Sequence, residues 1–210
     1  MFEEALIGGA KDSLALLGSS GLLREAYLAG GTAAALQMGH RISVDFDFFT
    51  QETFDPKKVA EALSQLGSFA VDQSDKGSVL GEFQGVKFSL FVYEYPLIEK
   101  AHPYLSLSLA SLQDIAAMKI DAISGRGAKR DFVDLYFLCS QGFSLNEILR
   151  FYQKKYKKLA SNLIHIQKSL VYFADAEADE MPKMLKPTQW DHVKHFFEQE
   201  VIRVFTRLPQ

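Results

Sequence analysis

The sequence predicts a mixed α/β lobe followed by a helical lobe, and two patterns carry that expectation. Before about residue 100, period-two alternation and glycine-bearing turns dominate; beyond it, apolar residues recur at helical spacing behind capping signals. Length agrees, since 210 residues suit two small lobes, here drawn as 1–100 and 101–210.

Each element has its own signal. Leu6, Ala10, Leu14 and Leu17 lie at helical spacing over 2–18, with Gly18 as the closing residue. Residues 25–29 form a short strand feeding the turn Gly30-Gly31-Thr32, and an Ala-rich helix runs over 32–38 to Gly39. Residues 44–49 alternate, sending Val44, Phe46 and Phe48 to one face and Asp45 and Asp47 to the other. Pro56, at a first-turn position where a missing N–H does no harm, starts a helix to about Leu66. Segments 68–74, 78–83 and 86–93 read as strands joined at Gly77 and Gly85, and Pro96 ends the run. Ser111 to Asp114 has the form of a capping box opening a helix to Ser124. After Gly125 and Gly127 comes a helix through Cys139, with Phe132, Leu135, Tyr136 and Cys139 as its buried stripe. Ser144 and Glu147 cap a third helix, residues 160–173 form a fourth, and 188–207 form the last after Pro187. The acidic stretch 175–180 reads as a linker.

Composition narrows the function classes. A hydrophobic content of 48% with 17 Phe is ample for a core, and a net charge of −3 provides no chain-wide basic field for nucleic acid. The single cysteine, Cys139, excludes an internal disulfide and Cys-based zinc sites. Acidic residues Glu3 and Glu4 precede the first lysine, unlike a secretory signal, and no apolar run reaches the ~20 residues of a membrane span. The expectation is a cytoplasmic protein with no membrane partner.

The chemistry concentrates in LAGGTAAALQMGHRISVDFDFF, residues 28–49. Glycines between strand and helix let backbone approach a phosphate, and the helix start presents N–H groups to it. The Thr32 hydroxyl can donate to that phosphate, cap the helix, or serve both ends. Asp45 and Asp47, at i and i+2 of a strand, share a face. Roughly 6–7 Å apart, they repel by about 2–3 kcal/mol at an effective dielectric near 20. A divalent cation removes that cost, and Mg²⁺ is typically held by one or two carboxylates plus substrate phosphates. Arg41 either pairs with the aspartates or grips phosphate, Ser43 orients the loop, and His40 reads as a packing residue.

Two further clusters have competing readings. Lys119 sits on an apolar helix and either snorkels or projects into a cleft, while Asp131 and Asp134 open the next helix and suit its dipole. The run 151–158 carries four lysines with Tyr152 and Tyr156; a solvated face over a core stripe of Ile148, Phe151, Tyr152 and Leu159 is favoured over a nucleic-acid surface.

YLAGGTAAALQMGHRISVDFDFF together with KIDAISGRGAKRDFVDLYFL resembles the AbiEii/AbiGii-type nucleotidyltransferases of the DNA polymerase β-like superfamily. The resemblance implies a polymerase β-like α/β (α+β) lobe with a mixed sheet and a helical C-terminal lobe. It implies transfer of a nucleoside monophosphate from an NTP to an RNA, tRNA included, or to a protein. Some relatives are toxins of toxin–antitoxin or phage-defence systems, so a cognate antitoxin is an implied partner. By position, Gly30, Gly31, Thr32, Arg41 and Ser43 would hold the nucleotide, Asp45 and Asp47 would ligate Mg²⁺ or Mn²⁺, and Lys119 would meet phosphates. Asp131 and Asp134 match positions of a base or further contact. The superfamily's usual third carboxylate is missing from 86–93, with Glu82 and Glu94 as the nearest acids. That departure keeps a catalytically silent nucleotide-binding or interaction module as the alternative.

Overall fold

A computed structural model describes residues 1–157 and 163–206. Leu159 and the expected ends of two late helices lie outside the described residues. The chain divides into two compact units, Met1–Ser111 and Leu112–Gln210. It has the expected α/β architecture.

The first unit begins with a 3₁₀ turn, Glu3–Ala5, rather than with a continuous helix. Gly8 and Gly9 break the periodic pattern, so α1 spans Ala10–Ser20. Gly18 does not close α1: a Cβ there would collide with the Leu105 carbonyl, so glycine lets the helix lie against that backbone. Next come β1 (Ala26–Leu28), α2 (Gly30–Met38), β2 (Asp45–Thr50), α3 (Pro56–Leu66), β3 (Phe69–Asp75), β4 (Ser78–Phe83), β5 (Val86–Val92), β6 (His102–Tyr104) and β7 (Leu107–Leu109). Asp55 caps α3 by accepting from the Lys57 and Lys58 amides. The strands form one sheet in the order β3-β4-β5-β2-β1-β7-β6. It is mixed, with β1–β7 and β2–β5 parallel and the other pairs antiparallel.

Register explains the core. Phe46 faces Phe88 and Phe48 faces Leu90 across β2 and β5, and Leu90 in turn faces Val79 of β4. All five of these side chains are buried. Val44 leaves this set: it precedes β2 and is 49% exposed. The first unit runs past the expected boundary at residue 100 because β6 and β7 extend its sheet. Their three-residue strands give almost no periodic signal and exist through pairing.

The second unit contains α4 (Leu112–Gly125), α5 (Lys129–Ser140), α6 (Leu145–Lys155), α7 (Leu163–Ser169), the short α8 (Ala174–Glu177) and α9 (Trp190–Phe205). The Ser144–Glu147 capping box is present at the start of α6. Helix α5 is central rather than one-sided: Asp131, Phe132, Val133, Asp134, Leu135, Phe137 and Leu138 are all buried. The Phe132 ring lies 5.3 Å from Phe173, 5.8 Å from Trp190 and 5.6 Å from Phe197, centroid to centroid. The acidic stretch is structured, since Asp179 Oδ2 accepts the Lys129 amide at 2.9 Å and so caps the start of α5. Tyr152 and Tyr156 are buried with their rings in tilted contact, centroids 4.8 Å apart, and Lys155 Nζ donates to buried Asp114 at 2.8 Å. As far as Lys157 the basic run is therefore a face over core whose rings are not offered to a nucleic acid, and its last lysine, Lys158, lies outside the described residues.

No helix among the described residues is long and apolar enough to cross a membrane.

Candidate active site

The glycine turn is stitched to the aspartate strand by one main-chain and one side-chain bond, both to strand carbonyls. The Ala29 amide donates to the Asp47 carbonyl at 2.9 Å, and the Thr32 hydroxyl donates to the Asp45 carbonyl. Helix α2 starts at Gly30, two residues earlier than expected, with Ala29 as N-cap and no side-chain cap. Thr32 is therefore inside the first turn, with its hydroxyl committed to β2. What α2 offers an anion is its opening N–H groups, which precede the first bond of the ladder, from the Ala33 amide to the Ala29 carbonyl at 3.3 Å.

Both glycines are there because of close approach. Gly30 has φ +62°, and a Cβ on it would lie 2.5 Å from Asp47 Oδ2. A Cβ on Gly31 would collide with Arg41 Nη2 and come within 3.0 Å of Ser43 Oγ. Gly30, Gly31, Arg41, Ser43 and Asp47 are thus brought together as one small cradle. Arg41 and Ser43 are buried, and Arg41 Nη1 donates to the Ile42 carbonyl at 3.0 Å. His40 is fully buried, in keeping with a packing role.

Asp45 and Asp47 are half-buried and share a face of β2, opposite buried Phe46 and Phe48. Across the sheet Asp45 faces Lys87 and Asp47 faces Ser89. Buried Ser89 donates from Oγ to Asp47 Oδ1 at 2.8 Å, which orients that carboxylate. Glu82 and Glu94, the acids nearest the gap in sequence and the candidates to stand in for the third carboxylate, do not adjoin the pair. Glu82 faces Lys87 from β4, with β5 in between, about 9–10 Å from β2 by strand spacing. Glu94 follows β5 on the surface. Among the described residues no third acid, His or Cys completes a metal cluster. The donor set fits a hard cation completed by phosphate oxygens: two carboxylates on one face, beside a cradle that a single Cβ would fill.

The other expected residues meet within the second unit. Lys119 Nζ lies 2.7 Å from Asp131 Oδ1 and 2.6 Å from Asp134 Oδ2, with all three buried. Arg126 closes on Asp131 from the Gly-rich break, with Nε at 2.8 Å and Nη2 at 3.1 Å. Burial acts to raise the Asp131 carboxyl, but the Lys119 charge and the Arg126 bonds outweigh it and hold the group below its usual range. Such a carboxylate is a weak base and a strong anchor for a lysine. Asp121, on the same helix as Lys119, is raised by burial. Cys139 is pushed up to about 12 by burial and by Glu200, so its thiol is not a nucleophile at neutral pH.

Sequence reasoning passed over Ser89 and Arg126. Ser89 carries a signal after all, as the one hydroxyl in the apolar strand VKFSLFV. Arg126 carries none, because only tertiary packing aims it.

The profile of the family described as "Nucleotidyl transferase AbiEii toxin, Type IV TA system" matches residues 14–96 and 91–203. An uncharacterized protein of Aquifex aeolicus (strain VF5) is 38% identical over 196 residues, covering 91% of this chain and 93% of that protein. The fold is similar to that of MenT4, a nucleotidyltransferase toxin from Mycobacterium tuberculosis, with a TM-score of 0.56 at 16% identity over 96% of this chain and 87% of that one. It is also similar to JHP933 from Helicobacter pylori, with a TM-score of 0.54 at 15% identity over 95% and 92% of the two chains. With the family's profile spanning both units, the chain belongs to the AbiEii nucleotidyl transferase toxin family and is an enzyme of the nucleotidyltransferase class.

Proposed function

We propose that the protein transfers a nucleoside monophosphate from an NTP to an RNA, with tRNA the first acceptor to test, or to a protein. In cells it would act as the toxin of a toxin–antitoxin or phage-defence pair, restrained by a cognate antitoxin; an NTP substrate suits a cytoplasmic enzyme. The observation that carries the reading is the cradle in which Gly30 and Gly31 close on Asp47, Arg41 and Ser43. The likeness of the fold to that of MenT4, itself described as a nucleotidyltransferase toxin, agrees with that role.

The residues divide the work. The Gly30, Gly31 and Thr32 amides receive the triphosphate at the start of α2, and Arg41 and Ser43 line the cradle beside them. Asp45 and Asp47 hold Mg²⁺ or Mn²⁺, and Ser89 fixes the direction of Asp47. The bound cation supplies charge neutralisation on the phosphates. For Lys119 a phosphate contact is implied by the family resemblance alone; within the second unit Asp131 and Asp134 hold it as its partners. In the reaction a bond forms from an acceptor oxygen to the α-phosphorus as the bond to the β-phosphate oxygen breaks. Pyrophosphate departs and the acceptor proton is released. Such transfer depends mainly on positioning and electrostatic stabilisation.

Incubation with each α-labelled NTP, Mg²⁺ and total tRNA or protein tests the reading. Label should pass to one acceptor in the wild type and not in the Asp45→Ala, Asp47→Ala double variant. Transfer that survives the double substitution would remove the metal role, and no transfer from any NTP would favour the silent binding module.

A further inference from the structure

We propose that residues 2–6 are a positioning strap for the loop 39–43, which carries Arg41 and Ser43 to the glycine cradle. What the loop binds rests on the function proposed above; the strap itself rests on contacts alone.

The strap holds the loop at both ends. At the entry, Gly39 ends α2 in the left-handed region at φ +61°, and a Cβ on it would lie 2.5 Å from the Phe2 ring. The ring thus rests on bare backbone, while the Phe2 amide donates to the Leu36 carbonyl at 2.7 Å. At the exit, the Ser43 amide donates to the Ala5 carbonyl at 2.9 Å, and Leu6 and Ser43 form an isolated parallel bridge. Ala5 and Leu6 are themselves buried. The outer side is tethered as well, because Glu3 accepts from Lys11 Nζ at 2.6 Å and from the Tyr104 hydroxyl at 3.4 Å.

A loop between a helix end and a strand start has no ladder of its own to set its path. Here its two ends are fixed by a segment distant from β2 in sequence, so the reach of Ser43 Oγ and Arg41 Nη2 toward Gly31 depends on that segment. None of the strap residues contributes a side chain to the cradle, so their effect should fall on nucleotide affinity and leave the chemical step alone.

Phe2→Ala and the bulk-retaining Phe2→Leu test the strap by amide exchange of residues 40–43, melting temperature, and KM and kcat for NTP. Because Phe2 is 39% exposed, removing its ring forfeits part of a full aromatic burial. Exchange at 40–43 and the NTP KM should each rise about five- to thirtyfold in Phe2→Ala, with kcat within about twofold. Phe2→Leu should return both to within about threefold of wild type. Unchanged exchange and KM in Phe2→Ala would overturn the proposal. So would faster exchange spread evenly over the first unit, or a fall in kcat with KM unmoved. The exchange measurement needs neither NTP nor acceptor, so a failed transferase assay would count against the proposed function while exchange still decides the strap.

Discussion

Replacing Gly30 with alanine puts the cradle under a defined load. A left-handed conformation at φ +62° costs a residue bearing a Cβ about 1–2 kcal/mol. The new methyl would also meet Asp47 Oδ2 at 2.5 Å and the Asp47 Cβ and Cγ at 3.2 Å, and overpacking of this kind costs about 1–3 kcal/mol. The carboxylate is anchored on its other side by Ser89, so it cannot move away without losing that 2.8 Å bond. Together about 2–5 kcal/mol falls on the site, which corresponds to roughly 30- to 4,000-fold in kcat/KM at about 1.4 kcal/mol per decade. The assay pairs label transfer with urea denaturation, and Gly8→Ala is the control because a Cβ there meets nothing within 4 Å. Equal kcat/KM for Gly30→Ala and Gly8→Ala would refute the argument that close approach to Asp47 requires the glycine.

Two more outcomes follow from the same geometry. Ser89→Ala frees Asp47 to rotate, so Mn²⁺ affinity by calorimetry should fall about tenfold, the scale of losses when a partner behind a metal ligand is removed; unchanged affinity would show that Ser89 orients nothing. Asp131→Asn strips Lys119 and Arg126 of a buried partner and should cost about 3–5 kcal/mol in urea unfolding. The folded Asp131 carboxyl is held below its unfolded value near 3.9, so the unfolded chain binds the proton first. Its contribution is present above about pH 4 and is lost as pH falls through the folded value, and the variant should lack that acid-side component of the stability curve. Parallel curves for wild type and variant below pH 4 would show that the ion pair is not formed.

Much of the first unit was legible because its signals are local. Pro56 starts α3, Gly77 and Gly85 mark the turns, and the alternation of Phe46 and Phe48 with Asp45 and Asp47 sets the two faces of β2. The glycine turn and the aspartate pair could be joined into one candidate site because only twelve residues separate Thr32 from Asp45. The break at Gly8 and Gly9 was hidden by leucines that keep helical spacing across it, and β6 and β7 were hidden by their shortness.

The sequence alone determined the alternation of strands and helices, the residue types of the cradle and the acidic face, because period, capping and turn chemistry act over a few residues. Tertiary structure alone decided what each polar group does. Thr32 could have capped α2, yet its hydroxyl binds the Asp45 carbonyl; Lys119 could have reached water, yet it lies between Asp131 and Asp134. Tyr156, outside the core stripe read from the sequence, could have faced solvent, yet it is core beside Tyr152. The partner of a buried polar or aromatic group is chosen by what the rest of the chain brings within hydrogen-bond or van der Waals distance, and that choice is set by long-range packing.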